Sequence, residues 1–523
     1  MDRSSHVDPP VEVLPPIEVP PMDEFNRELV NNVHPPDWVN PEPSGRYNIV
    51  IIGAGTAGLV TAAIAAGLGA KVALIERHLL GGDCLNVGCV PSKELIRASR
   101  AWAQVRGASE FGLHIPDGVR KDFGAVMARM RKLRARISHV DSAHRYRKLG
   151  VDVFVGSGLF VGPDTVDVDG RTLQFAKAAI CTGARAAAPP IPGLEATGYL
   201  TNETIFSLTE LPPRLAVIGA GPIGCEMAQC FARFGSQVCI FERIDHILPR
   251  EDTDAARVVQ AQMTRAGVCF MFDSKVTRVE KRGQERVIHY NVNGREDELV
   301  VDEILVSVGR APNVEGLGLE RVGVEYDTST GVKVNAKLQT TNPRIFAGGD
   351  ICSPFKFTHN ADAMAQIIIQ NALFPHPLGL GYRSTNSLII PWCTYTEPEI
   401  AHVGMYETGA RERGIEMDTF TVKLDEVDRA ILDGEDEGFA RVHVNKGTDH
   451  IVGATIVAVH AGDMISEFTL AMKGGLGLST ITGTIHAYPT QAEVIKRVAN
   501  AWRKTTLTEG KKKFLRKMFA WPR

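Results

Sequence analysis

Apolar residues along this chain fall into short dense runs separated by glycine-rich loops, not into one sustained repeating face. The run at 47–52, Tyr-Asn-Ile-Val-Ile-Ile, has the near-continuous hydrophobicity of a parallel strand buried on both faces. Gly53-Ala54-Gly55-Thr56-Ala57-Gly58 follows directly, then an alanine-rich helical stretch to Gly69, then a second strand-like run at 71–76 that ends on Glu76. The same order returns later, with a strand at 214–218, the loop Gly219-Ala220-Gly221-Pro222-Ile223-Gly224, and a strand at 237–242 that ends on Glu242. The carboxylate follows the first glycine by 23 positions in each copy, 76 − 53 and 242 − 219. The chain therefore carries two nucleotide-binding units as an internal repeat.

Strand-like runs recur at 304–308 and 344–346. From about Ser387 the pattern becomes mixed: runs at 419–422, 438–444 and 451–459 predict an antiparallel sheet, and stretches at 463–473 and 491–505 predict helices beside it. This is a third, α+β domain. The first 45 residues hold ten prolines and little apolar periodicity, which predicts an extended or loosely packed extension, although 25–38 carries enough apolar residues to lie along a domain surface.

At 523 residues the chain exceeds one ordinary core. A formal net charge of -3 leaves no overall basic field for nucleic acid or an anionic membrane. Nine scattered cysteines, an odd number, argue against a secreted disulfide framework and for a reducing compartment. No apolar run opens the amino terminus and none approaches the roughly 20 residues of a membrane span, so the expected location is the cytoplasm. The tail at 506–523 alternates lysine and arginine with Phe514, Leu515, Met518, Phe519 and Trp521. Contact with anionic lipid is one reading of it; packing on its own dimer is favoured.

The loop glycines let backbone N–H groups reach a pyrophosphate, and the helix amino terminus adds its positive end. Gly53, Gly55 and Gly58 serve one unit, Gly219, Gly221 and Gly224 the other, with Glu76 and Glu242 placed for ribose hydroxyls. Glu242 favours NADH, while the neighbouring Arg243 is able to accept the 2′-phosphate of NADPH, so both nucleotides stay open.

Chemistry enters with Gly81-Gly82-Asp83-Cys84-Leu85-Asn86-Val87-Gly88-Cys89-Val90-Pro91-Ser92-Lys93. Cys225 and Cys230 share the same spacing but lie on a predicted helix, where five residues rise about 7.5 Å and turn about 140°, too far to bridge. They are expected to be packing residues. Around Cys84 and Cys89, by contrast, Gly81, Gly82, Gly88 and Pro91 interrupt regular helix and let the chain fold back. Two small packed hydrophobes remain the alternative that the residues alone leave open.

This segment resembles the active-site run of the pyridine nucleotide–disulfide oxidoreductases, the family of lipoamide dehydrogenase, glutathione reductase and mercuric reductase. The resemblance extends from Tyr47 to about Thr505. Ile180-Cys181-Thr182-Gly183 is similar to the family's crossover segment, 341–350 to its second FAD motif, and Tyr395-Thr396-Glu397-Pro398-Glu399 to the opening of its dimerisation domain. The fold so implied is α/β, with two Rossmann-like FAD- and NAD(P)-binding domains plus a C-terminal α+β dimerisation domain. The FAD domain would comprise 46–211 and 336–386, the NAD(P) domain 212–335, and the dimerisation domain 387–505.

The resemblance implies FAD and NADH or NADPH as cofactors, no resident metal, and a homodimer whose active site is completed by the partner subunit. Thr182, Gly183, Gly309 and Asp350 would join the cofactor contacts, Asp350 on the ribityl chain. Cys89 would be the thiolate against the flavin and Cys84 the interchange thiol that attacks a small-molecule substrate. Lys93 would pair with Glu226 beside the flavin, and a helix beginning at Thr358 would point its dipole at the flavin.

One departure changes the chemistry. Lipoamide and glutathione enzymes carry a histidine base in His-Pro-Thr, followed by a glutamate. Here the segment reads Ile485-His486-Ala487-Tyr488-Pro489-Thr490-Gln491-Ala492-Glu493, with Tyr488 in the base's place and Glu493 expected to keep a structural hydrogen bond. A phenol with pKa near 10 does not shuttle protons at neutral pH as imidazole does. Mercuric reductases also carry tyrosine there, which points to Hg(II) or a related soft electrophile. Their terminal cysteine pair has no counterpart in 511–523. His486 as a substitute base, dihydrolipoyl dehydrogenase activity, and a non-catalytic flavoprotein redox sensor are the competing expectations.

Overall fold

The computed structural model describes residues 17–116 and 118–521. These form two compact units, one of residues up to Pro190 with Gly198–Pro212 and Leu305–Leu388, the other of Ile191–Thr197, Pro213–Ile304 and Ile389 onward.

The first unit is built on a seven-stranded sheet in the order Val151–Val155, Val72–Glu76, Arg46–Ile52, Arg171–Ile180, Thr165–Val168, Gly158–Gly162, with Ile345–Ala347 also paired to Arg171–Ile180. Arg171–Ile180 divides its free edge: its first half pairs antiparallel with Thr165–Val168, and its last residues pair in parallel with Ile345–Ala347. That division matters because it brings chain from beyond residue 344 to the same sheet end as the first glycine loop. Ile49, Val50, Ile51, Leu74, Ile75 and Phe346 are buried, as expected for strands covered on both faces. The helix Thr56–Gly67 starts immediately after the first strand.

In the second unit a four-stranded sheet runs Val268–Met271, Gln237–Phe241, Arg214–Ile218, Glu303–Val306, with the helix Pro222–Phe234 against it. Cys225 and Cys230 are buried on that helix, as packing residues. The same unit holds a five-stranded antiparallel sheet, Pro391–Thr394, Glu399–Gly404, Ile451–Ala458, Phe439–Asn445, Met417–Lys423, which the helices Ala461–Lys473 and Glu493–Thr505 cover.

Two local expectations are corrected. The extension is not loosely packed throughout: Glu24–Val33 is a helix capped by the Asp23 carboxylate on Asn26 N–H. Leu29, Val33 and Trp38 are buried in the first unit's core. Trp38 Nε1 donates to Val153 O at 3.2 Å, and Asn40 exchanges bonds with Val155 on both backbone groups. The segment therefore covers the sheet's edge strand, whose unpaired backbone would otherwise be open. The expectation for residues 1–16 lies outside the described residues. Pro91 and Gly82 do not break helix either. Pro91 sits in the first turn of Cys89–Gly107, where a missing N–H costs no bond, and Gly82 opens the short helix Gly82–Asn86. The interruption is confined to Val87 and Gly88. The tail is a helix, Glu509–Phe519, with Phe514 and Phe519 exposed. No helix among the described residues is long and apolar enough to cross a membrane.

Candidate active site

Three loops meet at the carboxyl ends of the first unit's parallel strands, the position where open α/β sheets bind ligands. Gly53 N–H donates to Ile75 O at 2.8 Å, Cys181 N–H to Ile52 O at 2.7 Å, and Gly348 N–H to Ile180 O at 3.1 Å. Gly53 has φ +101°, and a Cβ there would lie 2.4 Å from the Cys181 carbonyl oxygen, so only glycine lets these loops touch. Gly55 is the residue before the helix Thr56–Gly67, and Gly58 lies in its first turn against Gly53.

Glu76 accepts from Ala54 N–H at 2.7 Å and His78 N–H at 2.8 Å. Burial pushes this carboxyl up, and those N–H bonds oppose the shift. The second copy repeats the arrangement in its own unit. Gly219 N–H donates to Phe241 O, and Glu242 accepts from Ala220 N–H at 2.8 Å and Arg243 N–H at 2.6 Å. Gly221 precedes the helix Pro222–Phe234, and Gly224 is buried in its first turn. The carboxylates retain lone pairs for ribose hydroxyls.

The redox segment rests on the first loop, with Gly81 N–H donating to Ala54 O at 2.9 Å. After Gly82–Asn86 the chain turns back at Val87 and Gly88. A Cβ on Gly88 would stand 2.7 Å from the Asp83 carbonyl oxygen, so this fold-back requires glycine. It sets Cys84 and Cys89 within hydrogen-bonding range of each other. The Cys84 thiol is held well above its ordinary pKa, first by its bond with Cys89 and then by burial. Cys84 is half-buried and Cys89 exposed.

Cys89 is the first residue of the helix Cys89–Gly107, so its sulfur sits at the positive end of that dipole. Thr358 Oγ1 lies 3.3 Å from the Cys89 sulfur, and its bond also draws Cys84 downward. The bond with Cys89 and burial thus favour the protonated form of Cys84.

Thr358 begins the helix Thr358–Leu373, as expected for that helix start, but its contact with the sulfur was not legible. Arg310 was missed altogether. Its guanidinium pairs with Asp83 and donates to Ala184 O at 2.6 Å, and its Nε lies 3.7 Å from Asp350. The signal was present as a lone arginine after Gly309, whose φ of +151° marks the turn into Arg310–Pro312. Arg310 Nε is buried with no hydrogen-bond partner among the described residues, and burial pushes the Asp350 carboxyl up. A half-buried acceptor beside an unsatisfied buried donor suits a polyhydroxylated chain. Gly183, at φ +68°, has open space where a side chain would stand, and Thr182 and Asn313 hold each other's carbonyls at 2.9 and 2.8 Å. These residues fit FAD.

Lys93 lies on the redox helix, its ammonium 3.4 Å from Ser92 Oγ. Glu226 is buried in the second unit and accepts from Tyr395 N–H at 3.0 Å. Tyr488 is 69% exposed and donates to Asp428 at 2.8 Å, a bond that raises its pKa. Glu493 accepts from Arg497 Nε at 3.0 Å, and His486 is held 2.9 Å from Glu467.

Residues 47–365 match the family described as pyridine nucleotide-disulphide oxidoreductase, and 390–499 match its dimerisation domain. The chain is 34% identical over 455 residues to a mercuric reductase of Staphylococcus aureus, covering 87% of this chain and 82% of that one. It is also 34% identical over 457 residues to a dihydrolipoyl dehydrogenase of Chlamydia muridarum, covering 86% and 95%. The HOCl-induced flavoprotein disulfide reductase RclA of Escherichia coli superposes with a TM-score of 0.77 at 29% identity, covering 87% of this chain and 99% of that one.

Proposed function

The chain belongs to the pyridine nucleotide-disulphide oxidoreductase family, an FAD- and NAD(P)H-dependent family of oxidoreductases; from that premise we propose that it reduces a thiol-bound soft metal ion or disulfide-type substrate through Cys84 and Cys89. When bound, FAD supplies the two-electron relay between the nicotinamide nucleotide and the sulfurs. Gly53, Gly55, Gly58 and the helix behind them hold its pyrophosphate, Glu76 its ribose, and Thr182, Gly183, Asp350 and Arg310 its remaining polar groups. Gly219, Gly221, Gly224 and Glu242 serve the nicotinamide nucleotide.

Cys89 holds the negative charge at the helix end, and Cys84 presents a thiol to the incoming substrate. Lys93 is the cation that the redox helix carries beside this centre. Tyr488 and Glu493 reach it from the partner subunit of a homodimer. The scattered, odd-numbered cysteines suit a reducing setting, and we place the protein in the cytoplasm.

The observation that carries the metal reading is Tyr488. Its hydroxyl donates to Asp428 and its pKa is raised, so it does not accept a proton from an exchanging thiol at neutral pH. A dithiol substrate needs that acceptor. A thiolate-bound soft cation does not, because the cysteine sulfurs bind it directly. The identity to a dihydrolipoyl dehydrogenase supports that activity as the second reading, against which Tyr488 weighs.

The test is oxidation of NADH and NADPH by the holoenzyme with Hg(II) supplied as its bis-thiolate complex. Turnover above the oxygen background is expected, together with its loss in C84S. A rate no higher than background sinks the mercury assignment.

A further inference from the structure

Cys239 lies on Gln237–Phe241 and Cys269 on the neighbouring parallel strand Val268–Met271, and the register sets them directly opposite each other. The Cys239 thiol donates to the Cys269 sulfur at 3.0 Å. Neighbouring strands lie about 4.8 Å apart, inside the roughly 4.4–6.8 Å that disulfides span between Cα atoms. Access divides the pair, since Cys239 is buried and Cys269 exposed. Burial raises the Cys239 pKa, and the bond to Cys269 adds to that shift. The exposed sulfur is the one that an oxidant in solution reaches first.

We propose that Cys239 and Cys269 form a second, reversible disulfide that gates this nucleotide-binding unit in response to two-electron oxidants of the peroxide class. The Cys269 thiolate attacks a peroxide oxygen, the O–O bond breaks, and the departing hydroxide takes a proton to become water. The resulting sulfenic acid then meets the Cys239 thiol: the S–S bond forms, the S–O bond breaks, and hydroxide leaves with the Cys239 proton as a second water. Each sulfur gives up one electron and the peroxide gains both.

Bringing the sulfurs to bonding distance ties the two strands together through their side chains. Gln237–Phe241 leads directly into Glu242, whose carboxylate holds the Gly219 loop through Ala220 N–H and whose own N–H donates to Met271 O. The cross-link thus locks the strand pair that fixes the carboxylate. This gating rests on the assignment of that loop to the nicotinamide nucleotide; the sulfur chemistry does not.

The test treats holoenzyme with hydrogen peroxide, quenches with catalase, and maps tryptic peptides without reduction. Peptides 234–243 and 266–275 are expected joined, in a chain that still runs at monomer mass, and separated again by dithiothreitol. The treated enzyme should show a several-fold higher KM for NADH or NADPH, reversed by dithiothreitol and missing in treated C269S. Recovery of both peptides unlinked and alkylatable overturns the disulfide. A cross-link with unchanged KM overturns the gating while leaving the disulfide in place.

Discussion

Thr358 meets a sulfur that is 269 positions away in sequence. Its hydroxyl bonds Cys89 and also draws Cys84 downward, whereas the Asp141 carboxyl pushes Cys84 up. A hydrogen bond to an ionised group is worth about 1.5–3 kcal/mol, and one pKa unit is about 1.4 kcal/mol. Thr358→Val keeps the shape and removes the donor, so the thiolate's pKa should rise by about one unit. The thiolate is the reactive form and is lost as pH falls through its pKa, so alkylation of the NADH-reduced enzyme by iodoacetamide should lose its rate at higher pH in the variant. An unshifted profile would show that the hydroxyl does not serve the sulfur. Cys84 and Cys89 were legible because Gly88 between them breaks helix geometry locally. Thr358, Arg310 and Asp141 were not, because each reaches the site only through the tertiary fold.

The N-terminal helix Glu24–Val33 steadies the redox segment through one buried relay. Asn26 is fully buried, donates to Val19 O and Pro21 O at 2.9 Å each, and accepts from Arg134 Nη2 at 2.7 Å. Arg134 passes the constraint on by donating from Nη1 to Asn86 O at 2.6 Å, within the run that separates the two cysteines. Burial pulls Arg134 down to about 10, which leaves it charged at neutral pH. Asn26→Leu strands two carbonyls and one guanidinium donor, and should cost about 2–4 kcal/mol. Urea unfolding of the holoenzyme should show a lower midpoint, partly restored by Asn26→Asp, which keeps the acceptor for Arg134. Equal midpoints for wild type and Asn26→Leu would disprove the relay. The helix was hidden in the sequence by its proline-rich flanks, although Asp23 as cap and Leu29, Val30 and Val33 at helical spacing were there to be read.

At the scale of the whole molecule, the repeated unit was the most legible feature. Loop closure and carboxylate placement are the same in the two copies, and both follow from glycine and acid at equal spacing. Assembly was legible only through resemblance, since nothing in the residues around Tyr488 states which sulfur pair they face. If the partner subunit supplies Tyr488, two defects on different chains must complement each other. C84S removes the attacking sulfur. Y488E, at an exposed position, places a carboxylate over the sulfurs and should suppress thiolate chemistry by like-charge repulsion. Each homodimer should then be inactive. In a mixed dimer, the Y488E chain contributes intact cysteines and the C84S chain contributes an intact Tyr488, so one of the two sites is whole. Random reassortment of equal amounts should restore about one quarter of wild-type turnover. A site made within one chain gives no recovery on mixing, because no protomer then carries both intact parts.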